Sequence, residues 1–278
     1  MKWQGRRASS NVEDRRGRSA RGLLGGGIGT IILLVVVTLL GGDPLDLLGS
    51  ELVQIVTPYE ETAEERELKE FSSVVLAETE DVWAELFSEE LGMEYQCPKM
   101  VLYTGFVESA CGAADSSVGP FYCSADQKIY LDLSFYTELK ERFKAPGDFA
   151  MAYVIAHEVG HHVQYLLGIL DEVMAQRNRL SEKEYNKLQV RLELQADYFA
   201  GVWAHYAERA NLLEEGDIEE ALNAASAVGD DRIQKEALGY VVPDSFTHGT
   251  SEQRARWFYK GFQLGTISGG DTFNAPNL

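Results

Sequence analysis

The pentapeptide His157-Glu158-Val159-Gly160-His161 constrains this chain more than any other stretch. On an α-helix, residues four positions apart lie on the same face, one turn apart. His157 and His161 can therefore each offer an imidazole nitrogen to one zinc ion. Glu158 would face the open side of that ion, where a general base is needed. The alternative is a pair of histidines on a helix surface, because short motifs also arise by chance.

The residues around the pentapeptide predict a buried helix. Asp148, or Gly147 before it, can cap a helix that runs to about Leu167, and Gly168 suits the position after its end. Apolar residues on this helix are expected to face the core: Ala150, Tyr153, Val154 and Val163. Burying His and Glu without partners is costly, so the apolar context favours a bound ligand.

A second long helix is predicted to supply a third ligand. Ser181 and Glu184 form a capping box, and the helix runs to about Ala210. Glu193 and Asp197 lie four residues apart on one of its faces. A catalytic zinc usually takes three protein ligands, so we assign Glu193 as the third. Asp197 would then accept a hydrogen bond from a zinc-binding histidine. The reverse assignment and a plain surface pair remain open.

Two further histidines are not expected to bind the metal: His162 is predicted to be a structural or rim residue, and His205 a structural one. His162 is rotated away from the face shared by the histidine pair, and His205 lies off the face of Glu193. A zinc site with three histidines is excluded, because Gln164 occupies the glycine position of that motif.

His248 is the remaining histidine of interest. It lies on a loop just before Thr250, which forms a capping box with Gln253 at the start of a helix that runs to about Leu264. Its imidazole would either stabilise an oxyanion beside the zinc or simply pack next to the cap. Arg254 on the same helix is a candidate partner for a nearby acid.

Charge is distributed unevenly along the 278 residues. The net charge is −19, but residues 1–22 carry seven Lys or Arg against Glu13 and Asp14, so they contribute +5 and the remainder −24. An acidic main body argues against nucleic-acid binding. Residues 22–42 are uncharged, and a helix of this length would span about 30 Å. With the basic flank inside, the rest of the chain would be exported.

We therefore expect an uncleaved transmembrane anchor, with a cleaved signal peptide and a buried core helix as alternatives. The predicted organisation comprises five parts: a basic cytoplasmic tail (1–21), the anchor (22–42), a linker (43–62), a catalytic domain (63–267) and a flexible tail (268–278). The domain should begin with an amphipathic helix over residues 63–91, where apolar residues recur at helical spacing.

Two strands are predicted between this helix and the His-Glu-x-x-His helix. Residues 100–107 are β-branched and aromatic, and residues 128–135 alternate between apolar and polar. If the second strand lies at the edge of a sheet, it could bind an extended peptide; otherwise it is an ordinary sheet strand.

The chain has three cysteines. Cys111 and Cys123 flank a short loop and could form a disulfide outside the cytoplasm, which would leave Cys97 unpaired. No CxxC pair is present, so a cysteine-based zinc site is not expected.

Five stretches resemble a bacterial family of neutral zinc metallopeptidases. They are distributed over residues 2–265: KWQGRRASSNVEDRRG, CGAADSSVGPFYCSADQKIYLDLSF, AHEVGHHVQ, ELQADYFAGVWA and THGTSEQR. The resemblance implies a membrane-tethered zincin. It implies zinc ligands and a catalytic base at these positions: His157, His161 and Glu193, with Glu158 as the base. It also supports Asp197 as a partner of a ligand. The family often has Cys where this chain has Tyr198, a change that removes a thiol and adds bulk near the site.

Together these patterns predict an α+β, zincin-like fold. It would be mainly helical, with a small β-sheet before the His-Glu-x-x-His helix and an N-terminal transmembrane helix. The predicted function is hydrolysis of peptide bonds, with one Zn²⁺ per chain, on peptide or protein substrates outside the cytoplasm. The domain would be held at the bacterial inner membrane by a single pass, with the N-terminus in the cytoplasm. The alternative is a non-catalytic, membrane-tethered binding module with a structural metal site.

Overall fold

A computed structural model describes residues 1–17 and 59–278 of the chain. Its architecture is α+β, mainly helical, with a small sheet. The helices of this part are α1 (Ala63–Leu86), α2 (Phe135–Glu141), α3 (Asp148–Leu166), α4 (Ile169–Met174), α5 (Glu182–Arg209), α6 (Asp217–Ala227), α7 (Asp230–Leu238) and α8 (Ser251–Leu264). The strands are β1 (Val12–Asp14), β2 (Lys99–Tyr103), β3 (Phe106–Ser109), β4 (Gly112–Asp115), β5 (Phe121–Cys123) and β6 (Lys128–Asp132).

The predicted fold is wrong in one part, the N-terminal transmembrane helix. Within the two described ranges, no helix combines the length and apolar character needed to cross a membrane. The run 22–42, on which the anchor was predicted, and most of the linker 43–62 lie outside the described residues.

The basic N-terminal segment is part of the domain as far as it is described. β1 pairs in parallel with β2, with Val12 beside Met100. The α-amino group of Met1 donates to the carboxylate of Asp148, the first residue of α3, at 2.9 Å. Residues 1–17 are therefore part of the folded domain and do not form a separate tail. Location at the cell membrane stays a prediction.

The main sheet has the strand order β1-β2-β6-β5. β2 and β6 run parallel, whereas β5 runs antiparallel to β6 and forms the outer edge. β3 and β4 form a separate hairpin. β6 is therefore an interior strand, and the edge that could receive a peptide belongs to β5 instead.

The two faces of this sheet have different covers. One face packs on α3 in the main core through Met100, Leu102, Ile129 and Leu131. The other face packs on the β3–β4 hairpin, in a cluster formed by Val101, Tyr103, Val107, Ala114, Cys123 and Tyr130. Successive side chains of residues 128–132 thus point to opposite faces of the sheet, and both faces are apolar.

Both predicted strands are shorter than their sequence patterns suggested. The strand predicted over residues 100–107 is interrupted: β2 ends at Tyr103, and the chain turns at Gly105 into the hairpin, which begins at Phe106. Asp132 causes the change at this point: its carboxylate accepts the backbone N–H groups of Gly105 at 2.7 Å and Ser134 at 3.0 Å. β6 consequently ends at Asp132, and Phe135 already belongs to α2.

The predicted helices agree well with those observed, and their packing positions the site. α3 packs between α5 and α6, and α5 packs along α8. α5 and α8 cross in direct backbone contact, since a Cβ at Gly201 or at Gly261 would overlap a carbonyl oxygen of the other helix. This crossing brings the first turn of α8 beside Asp197 of α5.

The C-terminal segment, predicted to be a flexible tail over residues 268–278, is instead packed on the domain. Thr272 is fully buried and donates to the carbonyl oxygen of Arg191 at 2.6 Å. Gln195 of α5 donates to the carbonyl oxygen of Gly270 at 2.8 Å. Both hydrogen bonds join the C-terminal segment to α5, and the prediction missed them because the partners are distant in sequence.

Candidate metal centre

Three side chains converge on one point between α3 and α5. The Nε2 atoms of His157 and His161 lie 3.2 Å and 3.5 Å from the same carboxylate oxygen of Glu193. One ligand atom from each residue lies within 4.8 Å of the other two. Periodicity on α3 accounts for the histidine pair, and the packing of α5 against α3 adds the carboxylate.

Gly160 permits the close approach of the two helices. A Cβ at this position would lie 2.9 Å from the carbonyl oxygen of Ala196 and 3.1 Å from its Cα. Both atoms belong to the backbone of α5 and cannot move aside cheaply. The glycine inside the His-Glu-x-x-His sequence therefore has a packing role, since it brings the histidines within reach of Glu193.

The outer nitrogen of each histidine has a hydrogen-bond acceptor. Nδ1 of His157 lies 2.9 Å from Asp197, and Nδ1 of His161 lies 2.9 Å from the amide oxygen of Gln164. An ionised carboxylate only accepts, so the proton of His157 resides on Nδ1. The amide nitrogen of Gln164 donates to the carbonyl oxygen of Leu192 at 2.6 Å, which turns its oxygen toward His161. Both Nε2 atoms therefore face Glu193, where a metal ion would replace any proton that they carry.

Asp197 is itself fixed by a buried network. Arg254 donates to both of its oxygens, at 2.9 Å and 3.0 Å, and the hydroxyl of Tyr153 donates to one of them at 2.5 Å. Burial alone would raise the pKa of Asp197, but Arg254 and His157 lower it to about 2. Since Asp197 is 0% exposed and Arg254 4%, this ion pair is shielded from water.

The donor set fits zinc. Burial alone would raise the pKa of Glu193, but His161 and His157 hold it well below its ordinary value, so it is an anionic ligand. Two imidazole nitrogens and one carboxylate oxygen are a common set for a zinc that keeps a fourth position open. In the part of the chain that the structure describes, this group has no fourth His, Cys, Asp or Glu.

A cleft of about 660 Å³ opens beside the three donors. Glu158 lines it together with His157, His161 and Glu193. Burial raises the pKa of Glu158, and among the described residues its carboxylate has no hydrogen-bond partner. Much of the remaining wall is apolar or aromatic: Val118, Phe121, Tyr122, Phe135, Phe143, Leu170, Met174, Tyr185, Leu192 and Ile233.

His248 lies at the rim of the same cleft. Its Nδ1 is 3.2 Å from one oxygen of Asp230, whose other oxygen accepts the backbone N–H groups of Thr247, His248 and Gly249. Burial would lower the pKa of His248, but Asp230 and Glu193 raise it. Asp230 therefore both shapes the loop and orients the imidazole, and Nε2 is left without a protein partner among the described residues.

The other sequence candidates lie outside the centre. His162 is fully buried, and burial lowers its pKa to about 4. Nδ1 of His205 lies 2.8 Å from the carbonyl oxygen of Phe262 on α8, so this histidine is structural. Tyr198 donates to the carbonyl oxygen of Thr266 at 2.8 Å, so its bulk lies against the C-terminal segment. Cys111 and Cys123 form a disulfide, with Cα atoms 5.8 Å apart, and Cys97 is exposed and free.

A second acidic group has a different explanation. Asp148, Asp217 and Glu220 are close enough to hold a metal ion. However, the α-amino group of Met1 lies 2.9 Å from Asp148 and 3.4 Å from Asp217. The positive charge among these carboxylates is therefore an ammonium of the chain itself.

Sequence reasoning did not identify Gln164 and Asp230, and it left the partner of Arg254 open. Gln164 had a usable signal, because it lies three residues after His161 on one helix, within reach of its side chain. For Arg254, the sequence predicted an ion pair with a nearby acid but did not indicate which one. Asp230 had no signal, because a loop and a separate helix bring it to His248.

The fold and the donor set together are compatible with the zincin class of zinc-binding proteins. Residues 1–273 match the family described as "Putative neutral zinc metallopeptidase", and the chain belongs to that family.

Relatives in two bacterial groups are similar over different lengths. The chain is 51% identical to the uncharacterized protein YpfJ of Escherichia coli (strain K12), over 98% of this chain and 99% of that protein. It is 45% identical to the uncharacterized protein Mb2605 of Mycobacterium bovis, over 66% of this chain and 65% of that protein. No solved structure matches the chain significantly.

Proposed function

We propose that this chain hydrolyses peptide bonds, with one zinc ion held by His157, His161 and Glu193. One observation carries the proposal: three donors converge on the wall of a cleft, and Glu158 lies in the same cleft. When bound, zinc would acidify water and polarise a carbonyl group. A cleft of about 660 Å³ is large enough for several residues of a peptide.

Glu158 is the proposed general base. Its buried carboxylate would take a proton from the attacking water and pass it to the leaving amine. Protonated His248 would donate from Nε2 to the negative charge that develops on the carbonyl oxygen, because Asp230 accepts from Nδ1 and helps to raise the pKa of the imidazole. Asp197 and Gln164 would keep the two ligating imidazoles in the required tautomer.

The edge of the sheet supports a peptide as the substrate. β5 has one neighbour, β6, so its other edge is unpaired within the described sheet. Phe121 and Tyr122 of β5 also line the cleft. An extended peptide could therefore add to β5 through main-chain hydrogen bonds while it crosses the metal centre.

The competing function is a non-catalytic binding module with a structural metal. A structural zinc site normally has four protein ligands and has no use for a buried carboxylate next to it. The ligand group described above has three, and Glu158 has no structural partner there. These two observations favour catalysis.

The test uses the full chain with Glu158→Gln. This variant should bind one zinc per chain, as the wild type does, but cleave peptides roughly 10²- to 10⁴-fold more slowly, the usual contribution of a general base. Glu172→Gln, at an exposed position on α4, is the matched control and should retain full activity. Undiminished cleavage by Glu158→Gln would overturn the mechanism. A zinc-loaded wild type that cleaves nothing in a broad peptide library would favour the binding module.

A further inference from the structure

We infer that His162, acting through Tyr122, and the Cys111–Cys123 disulfide together position β5 as the strand on which substrate docks. This inference rests on the proposed function, because it assigns a role in peptide binding to residues outside the metal centre. His162 and the two cysteines are positioning residues and do not touch the reacting atoms.

β5 needs supports beyond its sheet pairing. It is three residues long, and among residues 1–17 and 59–278 its one partner strand is β6, through Phe121–Tyr130, Tyr122–Ile129 and Cys123–Lys128. So short an edge strand has few main-chain hydrogen bonds to fix its distance from the metal centre. If β5 shifts relative to the metal centre, a peptide paired with it shifts as well, and a misplacement of the scissile bond by about 1 Å can lower the rate strongly.

The first support lies on the face of the sheet that packs on α3. The hydroxyl of Tyr122 donates to Nδ1 of His162 at 2.9 Å. Nε2 of His162 donates in turn to the carbonyl oxygen of Gln96 at 2.6 Å, which fixes the tautomer. His162 is fully buried and directly follows His161. This bond therefore couples β5 to the helix that carries the metal ligands.

The second support lies on the opposite face. Cys123 is fully buried, and its bridge to Cys111 ties β5 to the β3–β4 hairpin that covers this face. The ring of Phe121 stacks on Tyr130 of β6 with centroids 4.9 Å apart. β5 is thus held from both faces. Its edge opposite β6 has no partner strand in the described part of the chain and stays available for a peptide in the cleft that Phe121 and Tyr122 line.

Tyr122→Phe tests the first support with the loss of a single oxygen atom. We expect KM for a cleaved peptide to rise about threefold to tenfold, the worth of a typical hydrogen bond, with kcat and zinc content unchanged. Tyr165→Phe is the matched control: its hydroxyl accepts from Gln127 at the surface, so KM should not change. A general structural defect would instead lower kcat and zinc content as well.

The second support is tested by replacing both bridged cysteines with serine, with Cys97→Ser as the control for loss of an exposed thiol. Amide hydrogen exchange at residues 121–123 should become at least about threefold faster in Tyr122→Phe and in the double-serine variant, but not in the controls. KM should rise in the double-serine variant too, with zinc content unchanged.

The outcomes separate this inference from the proposed function. If the wild type cleaves no peptide, the proposed function fails, and β5 cannot be a substrate strand. If it cleaves peptides but exchange at β5 is the same in all variants, the supports do not hold the strand and the inference is overturned. Faster exchange without a rise in KM also overturns it, because β5 would then be anchored for a reason other than docking.

Discussion

The wall of the metal centre and its rim are built in different ways. In the wall, a chain of contacts crosses three helices: Arg254 of α8 binds Asp197 of α5, which binds His157 of α3. At the rim, the side chain of His248 is 51% exposed, and its Nδ1 lies 3.2 Å from Asp230 and 3.0 Å from the hydroxyl of Thr247. Burial therefore fixes the wall, whereas one carboxylate and one hydroxyl group orient the exposed imidazole at the rim.

This difference predicts a division of labour. Changes in the wall remove partners from buried charges, so they should reduce both stability and metal affinity. Changes at the rim leave every buried group paired, so they should alter the rate or its pH dependence in a protein that folds and binds zinc normally.

Arg254→Leu should have the largest effect. It leaves the charge of Asp197 buried without its cation, which should lower the free energy of unfolding by about 3–5 kcal/mol. Zinc affinity should fall about 10- to 100-fold as the support of His157 is lost. Urea unfolding and zinc titration measure the two effects.

The matched control for this prediction is Arg256→Leu on the same helix. Arg256 pairs with Glu252 at 2.8 Å, and both side chains are largely exposed. Its loss should cost at most about 1 kcal/mol. If both variants lower the free energy of unfolding by the same amount, the buried ion pair contributes no more to stability than an exposed one. The contrast between wall and rim would then be wrong.

Gly160→Ala should come next. The added methyl group meets the backbone of α5 at Ala196, so overpacking should cost about 1–3 kcal/mol. The helices would separate, and zinc affinity should fall because Glu193 moves away from the histidines. Wild-type stability and zinc affinity in this variant would show that the contact between Gly160 and Ala196 does not set the distance between α3 and α5.

Gln164→Leu should have a smaller effect on stability, because it removes an uncharged donor from the carbonyl oxygen of Leu192 and leaves no buried charge unpaired. His161 would lose the acceptor of its Nδ1 proton, and zinc affinity should fall about 10-fold. Gln189→Leu, in the wall of the same cleft, is the matched control and should bind zinc normally. Equal affinities for all three proteins would exclude a role of Gln164 in holding His161.

Asp230→Asn should have the smallest effect on folding and metal binding, and should change the pH profile instead. In the wild type, Asp230 and Glu193 raise the pKa of His248 against the opposing effect of burial. Activity that needs the protonated imidazole is therefore retained below this raised pKa and lost as the pH rises through it. With Asn, the pKa falls, so the alkaline decline of kcat/KM should move to lower pH.

The control at the rim is Asp231→Asn. Asp231 accepts from Ser251 at 2.7 Å and does not contact His248, so its alkaline limb should match that of the wild type. An unchanged limb in Asp230→Asn would mean that His248 is not the group whose proton matters, and the oxyanion role would have to be assigned elsewhere.

Local periodicity accounts for what the sequence could predict about the site. The site consists of two pairs of residues, each four positions apart on one helix: His157 and His161 on α3, and Glu193 and Asp197 on α5. The sequence therefore predicts each pair from the geometry of a single helix. The capping boxes at Ser181 and Thr250 were likewise predictable, because each involves residues three positions apart.

The parts that failed depend on contacts between distant segments. β1 and β5 have three residues each, too few to show an alternating pattern. Their places at the two edges of the sheet could not be read from neighbouring residues. Asp132 ends two strands at once by binding Gly105, a contact across 27 positions. The transmembrane helix was predicted from an uncharged run of suitable length and the charges on its flanks, and neither reveals that β1 joins the sheet.

The docking of the N-terminal segment also bears on how the chain folds. Arg6 reaches the carbonyl oxygen of Ala210, 204 positions away, and Val12 pairs with Met100. Contacts that close such long loops cost chain entropy early and slow folding. We therefore expect this segment to join after α3, α5 and α8 have assembled. Until it does, β2 presents an apolar, unpaired edge, the kind of surface through which partly folded chains associate.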